Sequence, residues 1–230
     1  MISIHAGHNP DGLIASGAAG YMKESVENRK ILNAIMQRAK SGIEDVTVND
    51  GVSQSDILNR LCARMNNGDY KINLSIHLNA GGGNGVECWT YGANSKAERI
   101  AENIVKNIRD LGFKNRGVKH SKTLYILKHT TAPTIIVEIC FVDTEYDFKL
   151  YNRVGVDKIA LAILDAISGY VSYDSGDSVG DDEVDPVNEP DSTSGDMLYY
   201  VQVGAYSDIR NAQNMFEKLI AAGFPAYIKK

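Results

Sequence analysis

Residues 133–141 read PTIIVEICF, a nearly unbroken apolar run that one charged residue, Glu138, interrupts. A strand that other elements cover on both faces has this pattern, so we predict a buried strand from Thr134 to Ile139. Residues 70–77 (YKINLSIH) alternate apolar with polar side chains and predict a second strand. Shorter runs predict strands at residues 2–5, 86–91 and 124–127.

Apolar residues at helical spacing lie between these strands. They predict helices over about residues 23–40, 57–65, 95–111 and 156–170. Strands that alternate with helices are typical of an α/β domain, here with a mixed, centrally parallel sheet flanked by helices. The chain has 230 residues, enough for this domain, which we assign to residues 1–170, and for a small second unit.

An acidic segment follows the predicted domain. Residues 171–196 contain nine Asp or Glu residues and no Lys or Arg, and they are rich in Ser and Gly. The whole chain has a net charge of −5, so the remainder carries +4. Such a segment has too few large apolar residues to offset the entropy of ordering it, and its like charges repel one another. We therefore predict a disordered linker over residues 171–196.

The composition excludes several classes of protein. With 43% hydrophobic and 23% charged residues, the chain is typical of a folded protein. No apolar run reaches the roughly 18 residues of a membrane span, and neither predicted folded part is basic enough to indicate a nucleic-acid partner. The three cysteines stand singly in apolar contexts, which indicates a reducing compartment rather than a disulfide framework.

Four polar residues lie where predicted strands end or a helix begins, and they are His8, Glu24, His77 and Glu138. Proteins of the α/β class place their sites at the edge of the sheet where the carboxyl ends of the strands lie. Two imidazoles and a carboxylate, with a fourth position open to water, form the ligand set of catalytic zinc, and a separate carboxylate then moves protons. Glu138 suits the second role, because an apolar strand partly desolvates it and raises its pKa.

Each of these residues also has an ordinary structural explanation. A histidine at a strand end can be structural or merely exposed, and a glutamate in a first helical turn stabilises the helix dipole. Glu138 is the least ordinary of the four, since a buried carboxylate needs a partner. No short motif joins the two histidines, so residue type and spacing leave a metal site and a structural role both open.

Five short segments carry a resemblance to a known family. In chain order they are Gly7-His8, Lys23–Asn28, Ser75–Ala80, Gly85-Val-Glu87 and Pro133–Phe141. Together they resemble the zinc-dependent N-acetylmuramoyl-L-alanine amidases of the amidase 3 family, over residues 1 to about 170. The resemblance implies a Zn²⁺-dependent peptidoglycan hydrolase that cleaves the amide bond between N-acetylmuramic acid and the L-alanine of the stem peptide.

Carried over position by position, the resemblance implies that His8, Glu24 and His77 bind zinc. Glu138 falls on the catalytic glutamate, which acts as general base and acid. His5 stands where the family more often has Asp, and it introduces a rival imidazole. We prefer His8 as the ligand because it follows the glycine of the family's Gly-His pair. His5 is then expected to be a core residue, or to contact a metal ligand without binding the metal itself.

The sequence gives less support for a metal-binding or catalytic role of the other histidines and the cysteines. His120 and His129 are expected at the surface or in the substrate groove. A cysteine nucleophile is the alternative chemistry, but no cysteine has a histidine beside it in a recognisable arrangement. For Cys140, two residues beyond Glu138, we predict the role of a small buried hydrophobe.

Residues 197–230 predict a β-α-β unit, with strands at 198–205 and 225–228 and a helix at about 209–222. This segment resembles one repeat of the SPOR (sporulation-related) peptidoglycan-binding domain, which implies that it binds the glycan strands of the cell wall. A single unit has too little core to be stable alone, so we expect it to pair in a homodimer or to dock on the catalytic domain. The alternative is a truncated module without a function of its own.

Two other functions stay open beside the amidase. One is a metal-dependent peptidase or deacetylase acting on another bond of the wall, and the other is an inactive wall-binding protein. The chain opens with MISIHAG and shows no secretory signal, so we expect synthesis in the cytoplasm and action on the wall after lysis or holin-type release. A phage endolysin and a mother-cell enzyme of sporulation both fit this expectation.

Overall fold

The computed structural model describes residues 1–93 and 95–175. Within them the elements follow in the order β1 (Ile2–Ala6), α1 (Glu24–Arg38), β2 (Ala39–Ser41), β3 (Ile43–Asp45), α2 (Gln54–Asn67), β4 (Ile72–Asn79), β5 (Val86–Thr90), α3 (Lys96–Asp110), β6 (Asn115–His120), α4 (Tyr125–His129), β7 (Thr134–Phe141), α5 (Glu145–Val154), α6 (Val156–Ala166) and β8 (Ser172–Tyr173). None of the helices in these residues combines the length and apolar character that a membrane span requires. The predicted C-terminal unit, residues 197–230, lies outside the described residues, and so does its expected pairing in a homodimer.

In the described residues, six strands form one sheet in the order β3-β1-β4-β7-β5-β6. The first four strands of this order are parallel, whereas β5 runs antiparallel to β7 and parallel to β6. The predicted mixed, centrally parallel sheet is therefore confirmed. Because β1, β4 and β7 are parallel, their carboxyl ends meet at one edge of the sheet, which is also where β5 begins.

Apolar clusters cover the sheet on both faces. The larger cluster packs α1, α3 and α6 against the sheet and includes Ile135, Val137 and Ile139 of β7. The smaller cluster joins residues of α2 and α4 to Ile136. Successive side chains of a strand point to opposite faces, so β7 buries apolar residues on both sides. This burial is the reason for the continuous apolar run in its sequence.

The strand predicted at residues 124–127 is wrong. These residues lie at the start of α4, in which Ile126 and Leu127 are buried in the smaller cluster. A run of four residues is too short for its period to distinguish a strand from a helix. The last predicted helix, residues 156–170, ends at Ala166 in the structure. The helix before it, α5, was not predicted from the sequence.

The edge strand β6 is also absent from the prediction, because its sequence NRGVKH contains a single apolar residue. Its pairing with β5 is irregular. Val86 pairs with Asn115 and Cys88 with Val118, so β6 holds one extra residue, and Gly117 in this stretch has a φ of 78°. An extra residue of this kind is a β-bulge, which bends the strand and redirects its side chains.

The folded domain extends beyond the point where the linker is predicted to begin. Val171 is buried in the larger cluster, and β8 pairs antiparallel with β2 in a separate two-stranded sheet. Residues 171–173 therefore belong to the domain rather than to the predicted linker. The rest of that segment, from residue 176 onward, lies outside the described residues.

Candidate metal centre and active site

Three of the predicted site residues meet at the carboxyl edge of the sheet. His8 follows β1, His77 lies near the end of β4, and Glu24 is the first residue of α1. Each residue offers one nitrogen or oxygen atom, and these three atoms lie within 4.8 Å of one another. Side chains from three separate elements thus form a cluster that could hold a divalent metal ion.

The carboxylate of Glu24 joins the two imidazoles. Its Oε1 lies 2.8 Å from Nδ1 of His77 and 3.3 Å from Nε2 of His8. The two rings are nearly perpendicular, with centroids 4.9 Å apart. The other oxygen, Oε2, accepts a hydrogen bond of 2.9 Å from the backbone N–H of Ala18. Oε1, which faces the histidines, also accepts from the backbone N–H of Leu78 at 3.3 Å, so the backbone holds both oxygens of Glu24.

The charges of this cluster favour a cation at its centre. Burial raises the pKa of Glu24, but hydrogen bonds from His77 and His8 outweigh it and hold that pKa well below its usual range. For His77, burial lowers the pKa, yet the hydrogen bond to Glu24 makes the net shift upward. Glu24 is therefore ionised, and a proton on an imidazole pairs with it. A metal ion can replace that proton, since metal ligands bind in their deprotonated forms.

Two glycines leave the space that these side chains occupy. A Cβ atom on Gly7 would overlap the ring of His77. A Cβ atom on Gly17 would lie 2.6 Å from Oε2 of Glu24 and 2.9 Å from Cδ2 of His8, and Gly17 has a φ of 81° that favours glycine. The glycine before His8 is thus explained by the close approach of His77 to the backbone.

The backbone of His8 is held in an uncommon conformation. Its φ of 64° lies in the left-handed region, which residues other than glycine seldom adopt. Arg29 of α1 donates from Nη2 to the carbonyl of His8 at 2.7 Å, and Asn28 donates from Nδ2 to the carbonyl of Gly7 at 2.9 Å. A strained backbone conformation of this kind persists only where the surrounding contacts hold it in place. Helix α1 therefore supplies Glu24 and also fixes the turn that presents His8.

Glu138 lies beside His77 on the neighbouring strand, because the two residues are paired in the register of β4 and β7. Its Oε2 atom is buried and has no hydrogen-bond partner among the described residues. Burial raises the pKa of Glu138 to about 7, against the opposing charge of His77. A carboxylate with a free oxygen and a pKa near neutrality is suited to accept and return a proton.

A family model described as N-acetylmuramoyl-L-alanine amidase matches residues 2–169. The chain belongs to this amidase family. A second family model, described as a SPOR domain, matches residues 197–230. Both resemblances drawn from the sequence are therefore confirmed, and the acidic segment lies between the two matched regions.

Relatives of this chain occur among clostridia and bacilli. An uncharacterised protein of Clostridium perfringens strain 13 is 36% identical over 177 residues, which cover 73% of this chain and 51% of that protein. The N-acetylmuramoyl-L-alanine amidase CwlM of Bacillus licheniformis is 29% identical over 161 residues, which cover 67% of this chain and 55% of CwlM. The chain therefore spans about half the length of these curated relatives.

A solved structure shares the fold of the amidase domain. The catalytic domain of the CD27L endolysin targeting Clostridia difficile matches with a TM-score of 0.64 at 24% sequence identity. The match covers 73% of this chain and 96% of the endolysin domain. It shows that the arrangement of helices and strands described above is also the fold of that endolysin catalytic domain.

The raised pKa of Glu138 predicts a loss of stability as the pH rises to neutrality. A carboxyl that titrates at about 7 in the folded protein, against 4.5 ordinarily, binds its proton more tightly when folded. Stability is therefore lost as the pH rises from 4.5 to 7, by about 3 kcal/mol in all. We expect metal-free Glu138→Gln to exceed the metal-free parent in melting temperature above pH 7, and the advantage to vanish near pH 4.

Thermal unfolding in a chelating buffer from pH 4 to pH 8 measures this effect. Glu102 is an exposed glutamate of α3, so Glu102→Gln is the matched control and should show no such trend. A difference in melting temperature between Glu138→Gln and the parent that stays constant across the pH range would contradict the assignment.

His5 and Cys140 are both buried in the amidase domain. Burial lowers the pKa of His5 to about 3, and its Nδ1 atom lies 3.2 Å from the carbonyl of Ala6. The structure brings His8, rather than His5, into the cluster with Glu24. Burial also raises the pKa of the Cys140 thiol well above its ordinary value, which disfavours the reactive thiolate.

The two remaining histidines are exposed, as the sequence predicts. His120 lies 3.1 Å from a carboxylate oxygen of Glu98. The ring of His129 stacks on that of Tyr125, with centroids 4.1 Å apart. Neither imidazole belongs to the cluster of His8, Glu24 and His77.

A second buried carboxylate lies beside the site and has no role in the sequence-based prediction. Glu87 is paired with Glu138 in the β5–β7 register and is 3% exposed. Its Oε2 atom accepts hydrogen bonds of 2.6 Å from Arg116 and from Lys119. Two signals could have found it: Glu87 lies in the Gly85-Val-Glu87 segment that carries the family resemblance, and it is a charged residue in a largely apolar strand.

Proposed function

We propose that the described domain is a zinc-dependent N-acetylmuramoyl-L-alanine amidase, which hydrolyses the amide bond between N-acetylmuramic acid and the L-alanine of the stem peptide. The observation that carries the proposal is the convergence of His8, Glu24 and His77, with Glu138 in the adjacent strand. Membership of the amidase family supports the choice of substrate.

The cluster fits a zinc ion on its own chemistry. Two imidazole nitrogens and one carboxylate oxygen are donors that Zn²⁺ prefers, and three protein ligands leave a position for water or substrate. The absence of a side chain at Gly7 and Gly17 keeps the cluster compact. When bound there, Zn²⁺ would supply Lewis-acid chemistry, which lowers the pKa of water and polarises a carbonyl oxygen.

Glu138 moves the protons of this reaction. Its carboxylate accepts a proton from the attacking water and then delivers it to the nitrogen of L-alanine, which leaves as a free amine. A pKa near neutrality suits both steps, because the group must be a base first and an acid afterwards. The unpartnered Oε2 atom is free to receive the proton.

We also propose that residues 197–230 bind peptidoglycan and hold the amidase on its insoluble substrate. The SPOR match over these residues supports this role. The pairing of the single repeat in a homodimer stays a prediction, as does release of the protein to the wall by lysis. Sedimentation of the full chain with purified cell walls measures the binding directly.

Analysis of digestion products tests the amidase against its rivals. Purified peptidoglycan treated with the full chain should gain free L-alanine amino termini and no new reducing ends. A chelator should lower the rate by at least about 100-fold, and Zn²⁺ should restore it. New amino groups on glucosamine would indicate a deacetylase, and new termini elsewhere in the stem would indicate a peptidase; either result would overturn the proposal.

A further inference from the structure

A cationic pair lies next to Glu138 on the edge strand of the sheet. Arg116 donates from Nε, and Lys119 from Nζ, to the same oxygen of Glu87, each at 2.6 Å. One buried carboxylate therefore faces two positive charges, so the group carries a net charge of +1. Burial raises the pKa of Glu87, but hydrogen bonds from Lys119 and Arg116 outweigh it and lower the pKa, which keeps Glu87 ionised.

The β-bulge in β6 creates this pair. In a regular strand, residues three apart point to opposite faces of the sheet. The extra residue near Gly117 changes that alternation, so that Arg116 and Lys119 both reach Glu87. Bulges that redirect side chains are common next to active sites.

Both cations are held in place and keep unused donors. The guanidinium of Arg116 lies 4.8 Å from the ring centroid of Phe141, and Nζ of Lys119 lies 5.2 Å from that of Trp89. Arg116 uses one of its five N–H groups on Glu87, and Lys119 uses one of three. Their side chains are 28% and 34% exposed, so both residues are partly accessible from solvent.

The distance to the reacting bond limits what this pair can bind. Glu87 and Glu138 are register partners on neighbouring strands, which lie about 4.8 Å apart. The cations lie against the carboxylate of Glu87, with Arg116 Nε and Lys119 Nζ each 2.6 Å from its Oε2 atom. A group one residue beyond the scissile amide lies at a similar distance, because consecutive Cα atoms are about 3.8 Å apart.

We propose that Arg116 and Lys119 form a carboxylate-binding subsite, which recognises the free α-carboxylate of the stem-peptide residue that follows L-alanine. This inference rests on the proposed amidase function. That second residue of the stem is a γ-linked glutamate, whose α-carboxyl group is either free or converted to an amide. Planar Arg guanidinium groups with fixed orientation are suited to carboxylates, and the subsite therefore selects the free acid.

Two substrates that differ in one group test the subsite on the unaltered full chain. Each is an N-acetylmuramoyl peptide, with either an α-carboxylate or an α-carboxamide on the second residue. We expect a KM about 10-fold lower for the carboxylate, with a similar kcat, because the contact lies away from the reacting bond. Equal KM values for the two substrates would overturn the inference.

Variants locate the effect at the cationic pair. Arg116→Gln combined with Lys119→Gln should abolish the preference for the carboxylate, while Arg99→Gln, an exposed arginine of α3, should keep it. Arg116→Lys retains the charge without the planar fork, and we expect an intermediate preference. A preference that persists in the double variant would place the subsite elsewhere and overturn the assignment. The substrate comparison on the parent chain stands even where a variant folds poorly.

Binding of the peptide products separates this inference from the proposed function. Calorimetry with L-alanyl-γ-D-glutamate and with its α-amide measures the subsite without catalysis, and tighter binding of the free acid is expected. Hydrolysis of both muropeptides without a preference for the carboxylate would remove the subsite and leave the amidase intact. A chain that hydrolyses neither muropeptide would overturn the proposed function itself, and the subsite proposal with it.

Discussion

Replacement of Glu138 by glutamine is expected to lower kcat about 10²–10⁴-fold while the protein keeps its bound metal. This is the usual contribution of a positioned general base and acid. Glutamine preserves the shape of the side chain but accepts no proton from water at neutral pH. Metal content should be unchanged, because the cluster that could hold the ion consists of His8, Glu24 and His77.

Turnover of a soluble muropeptide and elemental analysis of the same preparation measure the two quantities together. Glu102→Gln on the exposed side of α3 should match the parent in both. Loss of the metal from Glu138→Gln would make Glu138 a ligand rather than a base. Full activity with full metal content would place the base elsewhere.

The same carboxylate is expected to limit the stability of the domain. Burial in β7 raises the pKa of Glu138 to about 7, which suits proton transfer and also costs free energy whenever the group is ionised without a metal beside it. A variant that gains thermal stability and loses turnover would therefore show one physical cause with two effects. Active sites commonly exchange stability for reactivity in this way.

The sheet could be predicted from the sequence wherever burial imposes a period on the residues. Strand β7 is covered on both faces and β4 alternates, so both leave a clear pattern. β6 lies at the edge with one apolar residue and leaves no such pattern. The apolar run at residues 124–127 is too short to show a period. Packing against α2 stabilises it as part of the helix α4.

The candidate site residues could be predicted because they lie at or near the ends of predicted elements. His8, His77 and Glu138 follow or close strands, and parallel strands bring their carboxyl ends together. The residues that support them could not be predicted in this way. Arg29 acts on the carbonyl of His8 through a hydrogen bond between distant segments, and neither local sequence nor period records such a contact.

A methyl group at Gly7 is expected to weaken metal binding by at least about 100-fold. The added Cβ atom would overlap the ring of His77, so one of the two must move. The backbone of Gly7 is fixed, because its N–H donates to the carbonyl of Ile76 at 2.9 Å and its own carbonyl accepts from Asn28 at 2.9 Å. The ring of His77 therefore turns away and leaves the cluster with two ligands. Loss of a ligand should cost more than the 10–100-fold typical of a residue that only orients one.

Competition with a chelating indicator measures the metal affinity of Gly7→Ala, and circular dichroism shows whether the domain stays folded. Gly169→Ala is the matched control, since its Cβ atom would meet no described residue within 4 Å. A Gly7→Ala protein that is folded, empty of metal and inactive would tie the function to the position of the His77 ring. Normal metal affinity in that protein would mean that His77 is not a ligand, because the His77 ring that contacts Glu24 occupies the space of the new methyl group.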